Sequence, residues 1–152
     1  MNKFEELITE LGDIVGVGLH AEKGRICKLN INGVMHVNIE YDETKDMILI
    51  GCLVVDLPPG RFRETVLKEA MRMNSTEPRI GTFAYSERNN KLILFTYLSF
   101  TSLSPEKLNE KLNAFMETAD DWRSAIDSGN LSRVALPPSI SGGGAPPLGV
   151  KR

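Results

Sequence analysis

The sequence predicts an α+β fold with the element order α-β-β-β-α-β-β-α, in which three helices accompany a twisted, mainly antiparallel sheet. Three observations predict it. Apolar residues recur at helical spacing in three segments. Five runs rich in β-branched and aromatic residues lie between these segments. Two short turns, Asn32-Gly33 and Arg88-Asn89-Asn90, each separate a pair of these runs as in a β-hairpin.

Composition indicates one domain and limits the kinds of partner. The chain has 152 residues, 41% hydrophobic and 25% charged, which suits a single core; we expect one domain over residues 1–133 and a flexible Pro/Gly-rich tail over 134–152. A net charge of -2 with interspersed signs argues against nucleic acid. No run approaches the roughly 20 apolar residues of a membrane span. The opening MNKFEELITEL alternates charge with hydrophobicity, unlike a signal peptide, so we expect a cytoplasmic protein.

The first helix is predicted from Phe4, Leu7, Ile8 and Leu11, which follow the i, i+3, i+4, i+7 pattern, with Gly12 as a natural stop. The glycines of the following stretch GDIVGVGLH are interpreted as loop or strand entry. A dinucleotide-binding loop would need a strand before it and a helix after it, and here that order is reversed.

Three strands follow. ICKLNIN reaches the Asn32-Gly33 turn, and VMHVNIEYD then alternates apolar and polar residues, as a half-buried strand does. His36 falls on the polar side of that strand, which indicates a solvated side chain. The third run, MILIGCLVVDL, is apolar on both faces, so we expect both sides of the sheet to be covered there.

The central helix, FRETVLKEAMRMN, is apolar over about half its circumference. Phe62, Val66, Ala70 and Met73 form one stripe, and Leu67 and Met71 form a second beside it. That arc is wider than one neighbouring sheet requires.

The second hairpin and the last helix complete the pattern. RIGTFAYS and KLILFTYLSF flank the Arg88-Asn89-Asn90 turn, and the second of these runs is again apolar on both faces. Ser104 is predicted as the N-cap of the last helix, with Pro105 in its first turn. One apolar stripe then marks its buried face: Leu108, Leu112, Phe115, Ala119, Trp122 and Ile126.

We predict no catalytic residue, metal site or cofactor. Cys27 and Cys52 each lie in an apolar run without a CxxC companion, which favours reduced thiols in the core over a disulfide. His20 and His36 lie in different segments without a second ligand at metal spacing. No nucleophile–base pair or carboxylate couple forms a recognisable motif.

The strands that are apolar on both faces and the wide apolar arc of the central helix together imply apolar surface that a single chain does not bury. Leaving Leu67 and Met71 in water would forgo about 1.5 to 3 kcal/mol each relative to burial, so another chain should cover them. A twofold homodimer is the favoured partner. The alternative is that the chain's own loops or tail cover these two side chains.

Four stretches make the chain similar to the class I type III secretion chaperones, the Tir-chaperone (CesT/SycE-like) family, over about residues 2 to 130. They are FEELITELG, GCLVVDLPPGRFRETVLKEAMRMN, GTFAYSERNNKLIL and LNEKLNAFMETADDWRSAI. The resemblance implies a non-enzymatic protein that binds an extended N-terminal segment of a secreted effector in the bacterial cytoplasm and keeps it export-competent. It also implies a dimer formed with itself or with a related chaperone subunit.

Site residues follow from combining this resemblance with the apolar pattern. The dimer contacts expected from it are Phe62, Val66, Leu67, Ala70, Met71 and Phe95. The effector contacts expected from it are Phe4, Ile8, Leu29, Ile31, Val37, Ile39, Ile48 and Ile50. For each strand residue among them, ordinary core packing is the competing interpretation. A small-molecule-binding regulatory α+β domain remains the alternative function, and it predicts an enclosed pocket lined by the two-faced strands.

Overall fold

The computed structural model describes residues 1–135, and it has the predicted order of elements. The elements are α1 (Lys3–Val15), β1 (Ile26–Ile31), β2 (Met35–Asp42), β3 (Met47–Asp56), α2 (Arg61–Asn74), β4 (Thr82–Ser86), β5 (Lys91–Ser99), α3 (Pro105–Asp127) and a terminal 3-10 turn (Leu131–Arg133). The predicted tail, from residue 136 onward, lies outside the described residues.

The five strands form one antiparallel sheet in the order β1-β2-β3-β5-β4. β3 is central and pairs with both β2 and β5. A β-bulge between Leu53 and Val55 shifts its register against β5. β1 and β4 are therefore the two edges of the sheet.

The first hairpin turn forms as the sequence predicts. Asn32 has φ 55° and Gly33 has φ 70°, so both are in the left-handed region that a type I′ turn requires, and the Val34 N–H donates to the Ile31 carbonyl at 3.0 Å. The register pairs Ile31 with Met35, so the loop has three residues, 32–34. Asn and Gly are the residues that adopt this conformation at least cost, and this turn fixes the register of β1 on β2.

Helix α1 extends one turn beyond its predicted end. Asn2 and Glu5 form a capping box at its start, and Gly16, with φ 81°, ends it. The prediction of a stop at Gly12 is wrong because that glycine serves packing instead. A Cβ at Gly12 would lie 2.6 Å from the Val17 carbonyl oxygen, so the following loop can fold back onto the helix only over a glycine.

Helix α3 matches its prediction at both the cap and the buried stripe. The Ser104 side chain accepts a hydrogen bond from the Lys107 backbone N–H, and Pro105 occupies the first turn. All six residues of the predicted stripe are buried. No helix within residues 1–135 is long and apolar enough to cross a membrane.

Candidate protein-interaction surfaces

Helices α1 and α3 pack on one face of the sheet, which we call the covered face. The Trp122 ring of α3 lies 4.5 Å from the Phe83 ring of β4, and the Phe4 ring of α1 stacks 5.9 Å from that of Tyr41 in β2. Alternate strand residues on this side, such as Ile50, are completely buried. The covered face is therefore the core of the single chain.

The other face of β3 and β5 is apolar but has no such cover, and we call it the open face. It consists of Leu49 and Leu53 of β3 with Ile93, Phe95 and Tyr97 of β5. Register pairs Leu49 with Tyr97 and Leu53 with Ile93 across the two strands. None of the five belongs to the core cluster or packs against it, and Leu53 and Tyr97 are 46% and 45% exposed.

The apolar strip of the open face does not continue across β2 and β1. On this side Asn38 and Glu40 of β2 lie beside Gly51 and Leu49, and Lys28 of β1 lies beside Asn38. The strip is thus bordered by polar and charged side chains, as an interaction patch on a folded protein often is.

Helix α2 lies against β4 and presents both buried and exposed apolar residues. Val66 and Ala70 are buried in the core of the single chain and offer almost no accessible surface, so their assignment to a dimer interface stays a prediction. Leu67 is half-buried against the core, whereas Phe62 is 41% and Met71 73% exposed. Four of the six predicted dimer residues thus retain accessible surface: Phe62, Leu67, Met71 and half-buried Phe95.

Six of the eight predicted effector contacts are buried within the single chain. Phe4, Ile8, Val37, Ile39, Ile48 and Ile50 are all completely or almost completely buried on the covered face. The apolar phase of β2 and β3 that the sequence shows most clearly is the core phase, so ordinary core packing, the competing interpretation, accounts for the burial of the four strand residues among them. Leu29 and Ile31 differ because edge strand β1 has a neighbour on one side only, and both are half-buried.

The two edges of the sheet differ in their free backbone groups. The Phe83 N–H of β4 donates to Asn74 Oδ1 at 2.8 Å, and Asn74 Nδ2 donates to the Phe83 carbonyl at 2.9 Å. The side-chain amide of Asn74 thus forms the two hydrogen bonds with β4 that the backbone of a further strand would form. Nearby, Arg63 donates to the hydroxyl of Tyr85 at 2.7 Å, so α2 holds β4 at two points.

Along the β1 edge of the described chain, the backbone N–H and C=O groups of two successive outward positions, Lys28 and Asn30, are free. The Tyr41 N–H donates to the Arg25 carbonyl, which sets the alternation of the β1–β2 ladder and turns residues 26, 28 and 30 away from β2. Ile26 uses its outward groups in a bridge to Glu22. Within residues 1–135, Lys28 and Asn30 have no backbone hydrogen bond on this edge.

An open cleft of about 1160 Å³ lies where α1 meets the β2–β3 turn and the start of α3. Carboxylates such as Glu6, Glu40 and Asp46 line much of it, and β3 and β5 contribute only Leu49 and Tyr97. This cleft therefore differs from the enclosed pocket, lined by the two-faced strands, that the small-molecule alternative predicts.

The two cysteines are free and buried on the covered face, as the sequence predicts. Burial, together with the charge of Glu22, raises the pKa of the Cys27 thiol to about 11, and burial alone raises the pKa of Cys52 to about 11. Both thiols are thus neutral at physiological pH, which makes them poor nucleophiles.

Reasoning from the sequence omitted several residues of these surfaces. Leu49, Leu53, Ile93 and Tyr97 were available from the strict alternation of β3 and β5, since each is out of phase with a buried residue. Asn74 had no comparable signal, because its role depends on where the end of α2 meets β4.

Comparisons with known proteins agree on one family and one fold. The model of the Tir chaperone protein (CesT) family matches residues 6–123. A chain of the crystal structure of the ExsC-ExsE complex has a TM-score of 0.64 at 18% identity, covering 82% of this chain and 96% of that one. No curated protein sequence matches the chain.

Two further complexes have similar chains. One is the HopA1-SchA chaperone-effector complex, with a TM-score of 0.65 at 14% identity, covering 80% of this chain and 94% of that one. The other is the Yersinia pestis type III secretion chaperone SycH with a fragment of YscM2, with a TM-score of 0.63 at 16% identity and coverage of 77% and 97%. At these identities, the likeness shows a shared fold.

Proposed function

We propose, since the chain belongs to the Tir chaperone protein (CesT) family, that it is a type III secretion chaperone acting in the bacterial cytoplasm. In this role it binds an extended N-terminal segment of one or more effector proteins and keeps that segment export-competent. Binding requires no reaction and no cofactor. The HopA1-SchA neighbour, which is described as a chaperone-effector complex, supports this proposal.

One observation carries the proposal: the chain leaves a contiguous apolar surface outside its own core. The five open-face residues lie on adjacent strands, keep exposed or half-buried surface and do not pack against the core cluster of residues 1–135, and Met71 of α2 adds a separate exposed side chain. Another chain can bind a helix or sheet surface of this kind by packing alternate apolar side chains against it.

A second copy, or a related chaperone subunit, is proposed to cover α2 and the adjoining part of β5. The seam would use Phe62, Leu67 and Met71 of α2 with Phe95 of β5, the four predicted dimer residues that keep exposed surface. The Phe95 ring makes an edge-on contact with the Tyr97 ring, with the ring centroids 6.2 Å apart.

The effector segment is proposed to run along the β1 edge. There Lys28 and Asn30 offer backbone N–H and C=O groups, while Leu29 and Ile31 offer half-buried apolar surface toward the helices. An added strand satisfies both kinds of group at once, because its backbone bonds the edge and its alternate side chains pack beside Leu29. Recognition of this kind depends more on apolar pattern than on exact sequence.

The test is capture of the partner from native cytoplasm, followed by mass spectrometry and limited proteolysis. We expect an effector whose protease-protected part is an extended stretch near its N-terminus. A synthetic peptide of that stretch should raise the melting temperature, since ligand at 100 times its dissociation constant adds about 2.7 kcal/mol to stability. A protein that yields no polypeptide partner, but is stabilised by a small metabolite, would contradict the proposal.

A further inference from the structure

We infer that Asn74 closes the β4 edge of the sheet against strand addition, which leaves β1, among residues 1–135, as the open edge for an extended polypeptide. The inference rests on the proposed function for the identity of that polypeptide. The closure of β4 follows from the geometry of Asn74 alone.

Closure depends on which backbone groups of β4 face outward. Phe83 lies opposite Leu94 in the β4–β5 register, yet both its N–H and its C=O bond to the Asn74 amide. Hydrogen-bonded and non-hydrogen-bonded pairs alternate along an antiparallel ladder. Thr82 and Ala84 therefore bond to β5, whereas Phe83 and Tyr85 face the outer edge.

An incoming strand needs consecutive outward residues, two positions apart, to form a ladder. β4 spans Thr82–Ser86, so Phe83 and Tyr85 are its two outward residues, and Asn74 occupies the first of them. β1 also loses one outward residue, Ile26, to the Glu22 bridge. It nevertheless retains the consecutive pair Lys28 and Asn30.

Asparagine is suited to this role because its side-chain amide reproduces the donor and acceptor of a peptide group. Its carbonyl oxygen accepts from the Phe83 N–H and its NH₂ donates to the Phe83 C=O, as a neighbouring strand would. Exposed sheet edges invite unwanted pairing, and proteins commonly block them. Here a single side chain at the end of α2 provides the block.

The test compares wild type with Asn74→Ala by residue-resolved amide hydrogen exchange and light scattering, using the full chain and no client. In dilute Asn74→Ala, the Phe83 amide should lose about tenfold or more of its protection while the Thr82 and Ala84 amides keep theirs. At high concentration, the Phe83 amide should regain protection and the Tyr85 amide should gain it, and the mass should double relative to wild type, as two β4 edges pair.

A matched control and a second variant keep the result interpretable. Ser75→Ala removes a hydrogen bond from the Ser75 hydroxyl to the Arg72 carbonyl at the same helix end, without touching β4, and should behave as wild type. If Asn74→Ala does not fold, Asn74→Ser replaces it, because a serine is polar but too short to bridge both Phe83 groups.

Two results would overturn the inference. The first is a folded Asn74 variant whose Phe83 amide exchanges freely but whose mass never exceeds that of wild type. The second is concentrated wild-type protein in which the Tyr85 amide becomes protected and the mass doubles, which would show that β4 pairs with another strand while Asn74 is in place. A failure to capture an effector would instead count against the proposed function and leave the β4 result standing.

Discussion

The two faces of the sheet use the same strands and nearly the same residue types, yet they differ completely in burial. Leu94 of β5 is fully buried on the covered face, whereas Leu53 of β3 is 46% exposed on the open face. The difference arises because α1 and α3 pack on the same side. Apolar alternation therefore identifies the surfaces that need to be buried. The positions of the helices then decide which of these surfaces the chain buries itself.

The largest expected effect is on the free energy of unfolding, when one leucine on each face of the sheet is truncated to alanine. Leu94→Ala should lower the free energy of unfolding by about 2 to 5 kcal/mol, because it leaves a cavity in a packed core. Leu53→Ala is the matched control on the open face and should cost less than about 1 kcal/mol in dilute protein, since half of that side chain is already in water. Urea unfolding of both variants measures the difference, and equal losses would refute the distinction.

The next effect concerns association through α2. Met71→Asp should weaken the dimer by about 3 kcal/mol, or ~150-fold in its dissociation constant, because it would bury an unpaired charge in the seam. Met71 is a better probe than Leu67, since Leu67 also packs against the core. Exposed Lys68 provides the control: Lys68→Ala should leave the mass measured by analytical ultracentrifugation unchanged. A Met71→Asp protein with wild-type dimer affinity would remove this helix from the interface.

A third prediction tests the covered face through its thiols. The pKa of Cys27 and Cys52 is about 11 in the folded chain, against an ordinary value of 9.0. Unfolding above pH 9 releases protons that the folded state retains, so the stabilising contribution is complete below pH 9 and is lost as pH rises through 11. The difference between a pKa of 9.0 and one of about 11 sets an upper limit of about 2.7 kcal/mol on this loss per thiol.

Its measurement is the difference in unfolding free energy between wild type and Cys27→Ala/Cys52→Ala as pH rises from 8 to 11. The variant should lose less stability over that range than wild type does. Parallel curves for the two proteins would show that the thiols are not shielded from water.

The smallest expected effect concerns the β1 edge. Lys28→Pro removes an outward N–H, which an edge strand tolerates, and should weaken binding of the captured effector segment by about tenfold. Lys28→Ala keeps that N–H and is the control for losing the side chain. If both variants weaken binding equally, the segment contacts the lysine and not the backbone of β1.

The order of the elements and both hairpins could be predicted from the sequence because their signals are local. Asn32-Gly33 needs only its own φ angles, and the stripe that ends at Ile126 needs only the helical period. The existence of surplus apolar surface was equally visible, since it appears as strands with no polar side.

The identity of the surplus residues was not predictable in the same way, because it depends on tertiary packing. In β3, Ile48 and Leu49 are adjacent and equally apolar, and only the position of α1 and α3 makes the first core and the second surface. Likewise, Val66 and Met71 lie on one wide apolar arc of α2, and only the position of the helix against the sheet makes Val66 buried and Met71 exposed. Family resemblance indicated which elements interact and not which side chains.

The most direct test of the account is hydroxyl-radical footprinting of the full chain at three stages: dilute, concentrated, and bound to its captured effector. We predict that Met71, Phe95 and Tyr97 are labelled in the dilute protein and protected once it associates, whereas Leu94 stays unlabelled throughout. Protection of these three side chains already in the dilute monomer would show that the chain covers its own open face, and would contradict the account.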